Sequence, residues 1–83
     1  MIESKQQVLD NFRDKARAFL AEPNFIHGID LDDAAVALNR YVLTEMRDEQ
    51  LGSALVGIQK TIRKLDVNAV SEILRLVEKR FSD

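Results

Sequence analysis

Two apolar stripes at heptad spacing occupy the last third of the chain and lie almost back to back. Leu51, Leu55, Ile58, Ile62 and Leu65 recur at alternating intervals of four and three residues, and Val67, Val70, Leu74, Val77 and Phe81 at three and four. Successive residues of a helix are about 100° apart, so each set lines one face. Two amphipathic helices joined so briefly bury those faces only by folding on each other or on a third element. The expected fold class is therefore all-α, a compact bundle of four helices at about 5–21, 31–46, 48–65 and 67–81, with a structured 23–29 loop.

At 83 residues the chain reads as one helical domain, 1–83. The cysteine count is zero, and small secreted domains usually rely on disulfides, so a cytoplasmic setting is the expectation. The start, Met1 to Gln7, is polar and does not read as a signal peptide. No apolar run approaches the roughly 18 residues of a membrane span.

Net charge is −2, unevenly spread. Residues 23–50 carry two bases against six acids, net −4, and residues 51–83 six bases against four acids, net +2. Such a distribution serves internal attraction and helix capping, or offers an acidic surface to a basic partner.

The first helix opens on a capping box, Ser4 with Gln7 three residues on, and stops at Pro23. Val8, Phe12, Ala16 and Phe19 form its apolar face. In the segment 23–29, Pro23 is expected to open a helical turn and Gly28 to close it, with Phe25, Ile26 or Ile29 plugging one end of the bundle. Asp30 is the expected N-cap of the second helix, which puts Asp32 and Asp33 in its first turn, where the helix dipole favours acids. That helix has apolar residues on much of its circumference, with Val36 and Leu43 beside an inner set that includes Leu31, Leu38 and Tyr41. It is expected to be the central helix. One alternative lets the second helix run on to Leu51, with Gly52 as its C′ residue and Ser53 as the next N-cap; the favoured one makes Asp48 the expected N-cap of the third helix, which then runs unbroken through Gly52 and Gly57. Ser53 and Gly57 would form a small-residue groove on it. Asp66 is the expected N-cap of the fourth.

Little in the chain points to catalysis. His27 is the only histidine and no cysteine accompanies it, so no ordinary transition-metal site is expected. Asp30, Asp32 and Asp33 resemble the start of a calcium loop, but Ala35 and Tyr41 stand where its glycine and glutamate belong. The three glycines are too dispersed for a phosphate loop. Residues 54–62 echo a DNA-binding helix-turn-helix, but the spacing of small residue to glycine is wrong. Lys60, Arg63 and Lys64 also make a poor phosphate footprint on an acidic chain.

The function expected on these grounds is that of a small non-enzymatic protein-binding module without cofactor, acting as a regulator, inhibitor or adaptor. Its candidate partner-binding residues are Asp32, Asp33, Val36, Tyr41, Leu43, Glu45, Asp48 and Glu49, an acidic surface next to an apolar flank. The alternatives are a nucleic-acid-binding regulator using the third and fourth helices, and a self-associating structural subunit, a homodimer among its forms. No membrane association is expected.

Overall fold

A computed structural model describes residues 4–82. Met1–Glu3, on which part of the signal-peptide reading rests, and Asp83 lie outside the described residues. The described residues form helices and no strand: α1 (Lys5–Ala21), α2 (Phe25–Tyr41), a π-helical turn (Val42–Met46), α3 (Glu49–Val56), α4 (Ile58–Arg63) and α5 (Val67–Ser82). Since α3 and α4 are two segments of one helix, the architecture is a small four-helix bundle. No described helix is long and apolar enough to cross a membrane.

The capping box that starts α1 is present in full. Ser4 Oγ accepts from the Gln7 amide at 3.1 Å, and Gln7 Oε1 accepts from the Ser4 amide at 3.0 Å. Val8, Phe12, Ala16 and Phe19 are buried along its inner face. The apolar period of 3.6 thus runs straight from sequence to core.

The 23–29 loop is corrected by the structure. Only residues 22–24 connect α1 to α2, because Asn24, not Asp30, is the N-cap: its side chain accepts from the His27 amide at 2.8 Å. Helical hydrogen bonding begins at once, with the Gly28 amide donating to the Asn24 carbonyl at 2.9 Å. Asp32 and Asp33 consequently sit mid-helix, and the first turn of α2 holds no acid. Gly28 does not end a turn; it is buried inside the helix. A Cβ placed there would stand 2.6 Å from Ile62 Cγ2, so the missing side chain is what lets α4 approach α2. Phe25, Ile26 and Ile29 plug nothing. They are 69%, 72% and 63% exposed, because the buried face of α2 follows Gly28, Leu31, Ala35 and Leu38.

The second helix also ends differently from the expected plain run to 46. Val42–Met46 form a widened π turn, and Arg47 closes it in the left-handed region at φ 53°. The amides of Arg47 and Asp48 both end on the Val42 carbonyl. Asp48 then caps α3 as expected, accepting from the Leu51 amide at 3.1 Å. The third helix is not continuous from 48 to 65: it is interrupted at Gly57, with φ −69° and ψ −13°. Gly57 lies against no neighbouring helix, so no backbone enters the expected Ser53–Gly57 groove; the close approaches are at Gly28 and Gly52.

Leu65 leaves the apolar stripe to which its spacing assigned it. It takes φ 53° and is 37% exposed. Its amide donates to the Ile62 carbonyl and that of Asp66 to Thr61, both at 2.9 Å, the paired bonds of a Schellman ending. Asp66 then caps α5, accepting from the Ala69 amide at 3.1 Å.

The central place expected of the second helix is what is found: α2 packs on α1, α3 and α4, while α5 closes the bundle against α1, α3 and α4. Leu55, Ile58, Ile62, Leu74 and Val77, the middle of the two stripes, are all buried. No polar or charged described residue is buried with them.

Candidate functional site

The surface that stands out is built on the face of α2 turned away from α1. Residues 25, 29, 32, 36 and 43 repeat at four, three, four and seven, and so fall on one stripe about 60° wide. Phe25, Ile29, Val36 and Leu43 on it are all largely exposed, the last two at 50% and 47%. Alongside runs the third helix, whose Val56 is 65% exposed. A groove lies between the two. It is lined near the start of α2 by Phe25, Ile29, Asp32 and Arg63, in the middle by Val36, Asn39, Val56 and Gln59, and at the far end by Leu43, Glu49 and Ser53. Its floor is shallow because Gly28 and Gly52 let the helices meet closely there. The Asn39 Oδ1 atom beneath the middle section is buried and accepts no hydrogen bond. So many exposed apolar residues on one side of so small a chain are unusual, since monomers rarely leave such patches uncovered.

The sequence-derived candidates do not share one place. Val36, Leu43, Asp32 and Glu49 all line this groove. Asp33 is exposed on its outer flank, the same flank as Arg40 about two helical turns further on. Tyr41 lies about 140° round the helix from Val36; it is half-buried and meets Phe81 with ring centroids 6.2 Å apart. Glu45 is exposed on the π turn.

Asp48 is occupied structurally. Its carboxylate takes the Leu51 amide and pairs with Arg80 of α5, whose Nη2 also donates to Gln50 Oε1 at 3.1 Å. The Leu51 amide above all, helped by the Arg80 guanidinium, holds this carboxyl below its ordinary value of 3.8 against the opposing effect of burial. The eight candidates therefore do not form one acidic face.

Among the groove residues absent from the sequence-derived set, three are apolar and exposed: Phe25, Ile29 and Val56. The signal was present for the first two. Carrying the period of α2 backwards from Val36 reaches Ile29 and Phe25, but Pro23 and Gly28 read as loop residues and stopped the count.

His27 is accounted for locally. With the hydrogen on Nδ1, its ring donates to the Glu22 carbonyl at 2.6 Å and satisfies an acceptor at the end of α1. Among the described residues, no group of three His, Cys, Asp or Glu side chains converges as for a metal ion. No family model matches this chain, and no curated protein or solved structure is significantly similar to it.

Proposed function

We propose that this chain is a protein-binding module, a small regulator or adaptor that works by presenting a surface and not by chemistry, and that the α2 strip is its docking face. One observation carries the reading: Phe25, Ile29, Val36, Leu43 and Val56 form an exposed apolar row, with Asp32 set between Ile29 and Val36, beside a groove and outside a core that is already closed. Removing such a row from water on a complementary surface is favourable by roughly 25 cal/mol per Å² before the costs of association. The shallow floor suits a helix laid along the groove, reading anchors at helical spacing.

The test is site-specific photo-crosslinking in the cells that make the protein. A photoreactive residue at Val36 is expected to give covalent protein adducts, and one at Glu72, exposed on α5, to give none. Equal adduct patterns from both positions, or none from Val36, would overturn the reading.

A further inference from the structure

The charges that flank the strip say what covers it. Asp33, Arg40, Glu49 and Arg63 are all exposed, and none enters the three ion pairs found among the described residues. Asp33 and Arg40 are seven residues apart on α2 and so lie on the same outer flank of the strip, equidistant from the Val36–Ala37 bond. On the inner flank the third helix runs the other way. Arg63 stands beside Ile29 at one end of the groove, and Glu49 beside Leu43 at the other. Each flank thus carries an acid at one end and a base at the opposite end.

The geometry points to a second copy of this chain as the occupant, docked strip to strip about a two-fold axis near Val36, with the two α2 helices antiparallel. The inference rests on the reading of the strip as a protein docking face. A two-fold perpendicular to antiparallel helices sets each flank against the same flank of the mate and reverses its direction. Asp33 then meets the second copy's Arg40, and Arg63 the second copy's Glu49, each pair twice.

The apolar row closes in the same register. Ile29 falls opposite the second copy's Leu43, while Val36 and Val56, which share the middle of the groove, lie near the axis. A parallel copy would instead set Asp33 against the second copy's Arg63 and Arg40 against its Glu49, an arrangement that mixing the reversed variants below does not restore, and a uniformly acidic or basic helix would leave half of each flank unmatched.

The strip is about 27 Å long from Phe25 to Leu43 and two helices wide, on the order of 500 Å² per copy. That is less than the roughly 800 Å² per partner of standard interfaces, so the dimer is a reversible one.

Sedimentation velocity on the full chain, from micromolar to millimolar concentration, reads the association directly. Wild type is expected to pass from monomer to dimer. Asp33→Arg and Arg40→Asp, each folded by circular dichroism, are expected to weaken self-association about tenfold or more. Mixing the two variants is expected to restore it, since each mixed pair regains both attractions. Glu49→Arg and Arg63→Glu provide the same exchange on the other flank, should either of the first two variants fold poorly.

A wild type that stays monomeric at millimolar concentration would overturn the second copy as occupant. A dimer indifferent to the reversals, or not restored by mixing, would overturn it as well. The crosslink from Val36 separates this failure from failure of the docking reading: an adduct to a different protein keeps the face and removes the self-pairing, and no adduct removes both.

Discussion

Helices α5 and α2 are nearly equal in length but distribute their apolar residues in opposite ways. On α5, Val70, Leu74, Val77 and Phe81 are buried and the other face carries Glu72, Arg75 and Lys79. Its contacts with α1, α3 and α4 cover every large apolar side chain of that stripe. On α2, Gly28, Leu31, Ala34, Ala35 and Leu38 are buried, yet Phe25, Ile26, Ile29 and Val36 remain in solvent. Three neighbouring helices cover α2 and still leave a side open. A clean stripe describes a helix whose contacts are complete within its own chain. Apolar residues all round describe either a fully enclosed helix or one with a further contact to make, and here the buried face sets Leu31 and Leu38 among the small residues Gly28, Ala34 and Ala35, onto which the neighbouring helices crowd.

The largest expected effect comes from breaking the complete side of this comparison. Leu74→Ala should cost about 2–5 kcal/mol in urea unfolding, because it opens a cavity in a closed core. Val36→Ala at low protein concentration should stay within about 0.5 kcal/mol of wild type, as exposed positions do. Similar costs for the two would erase the distinction between the helices.

Next come the glycines, for which opposite signs are expected. Gly28→Ala drives a Cβ into Ile62, a stiff β-branched side chain, and overpacking of this kind costs about 1–3 kcal/mol. At Gly57 the backbone is right-handed and a Cβ would meet nothing closer than 3.5 Å. Gly57→Ala should therefore stabilise by about 0.4–1 kcal/mol through the unfolded chain. Thermal denaturation of the two variants checks the pair of signs.

A smaller effect sharpens where α2 begins. Asn24→Ala should destabilise by about 0.5–2 kcal/mol through loss of the cap. Asp30→Ala, at an exposed mid-helix position, should fall within about 0.5 kcal/mol of wild type. The reverse order would move the start of α2 back to Asp30.

The last concerns Asp48, which ties α3 to α5. Its folded pKa lies below the ordinary value, so its contribution to stability is present above the unfolded pKa of 3.8 and is lost as pH falls through the folded one. Asp48→Asn retains a capping oxygen but not the charge facing Arg80. Compared with wild type, it should lose stability at neutral pH and converge with it once the pH has fallen through the folded pKa. A constant offset at both pH values would show that the charge is not what matters.

Against these expectations, the C-terminal hairpin was nearly all legible beforehand. Its stripes, the Asp48 and Asp66 caps and the buried middle of each helix depend on local periodicity and on hydrogen bonds within a few residues. The exceptions are Leu65 and Gly57, where the period continues but the backbone does not. Leu65 has the spacing of the stripe yet leaves it for a left-handed conformation, because the turn to α5 needs one there and no glycine is present to supply it.

The start of α2 was misread for a related reason. Proline and glycine within five residues resemble a loop, and only the approach of Ile62 explains a glycine in the middle of a helix. Of the candidate site, Val36 and Leu43 were found from their excess over a single apolar face. Tyr41 was grouped with them because its contact, the Phe81 ring, lies forty residues away in sequence.

By itself the sequence determined the helical class, the extent of α1 and α5, the caps at Ser4, Asp48 and Asp66 and the residues at the centre of the core, since each follows from spacing along one chain segment. Only the tertiary structure decided that Gly28 belongs inside a helix, that Asp48 is held by Arg80, and that Phe25, Ile29 and Val56 share an open row with Val36. Those are relations between segments, set by which surfaces come within reach when the helices pack, and no periodicity within one segment contains them.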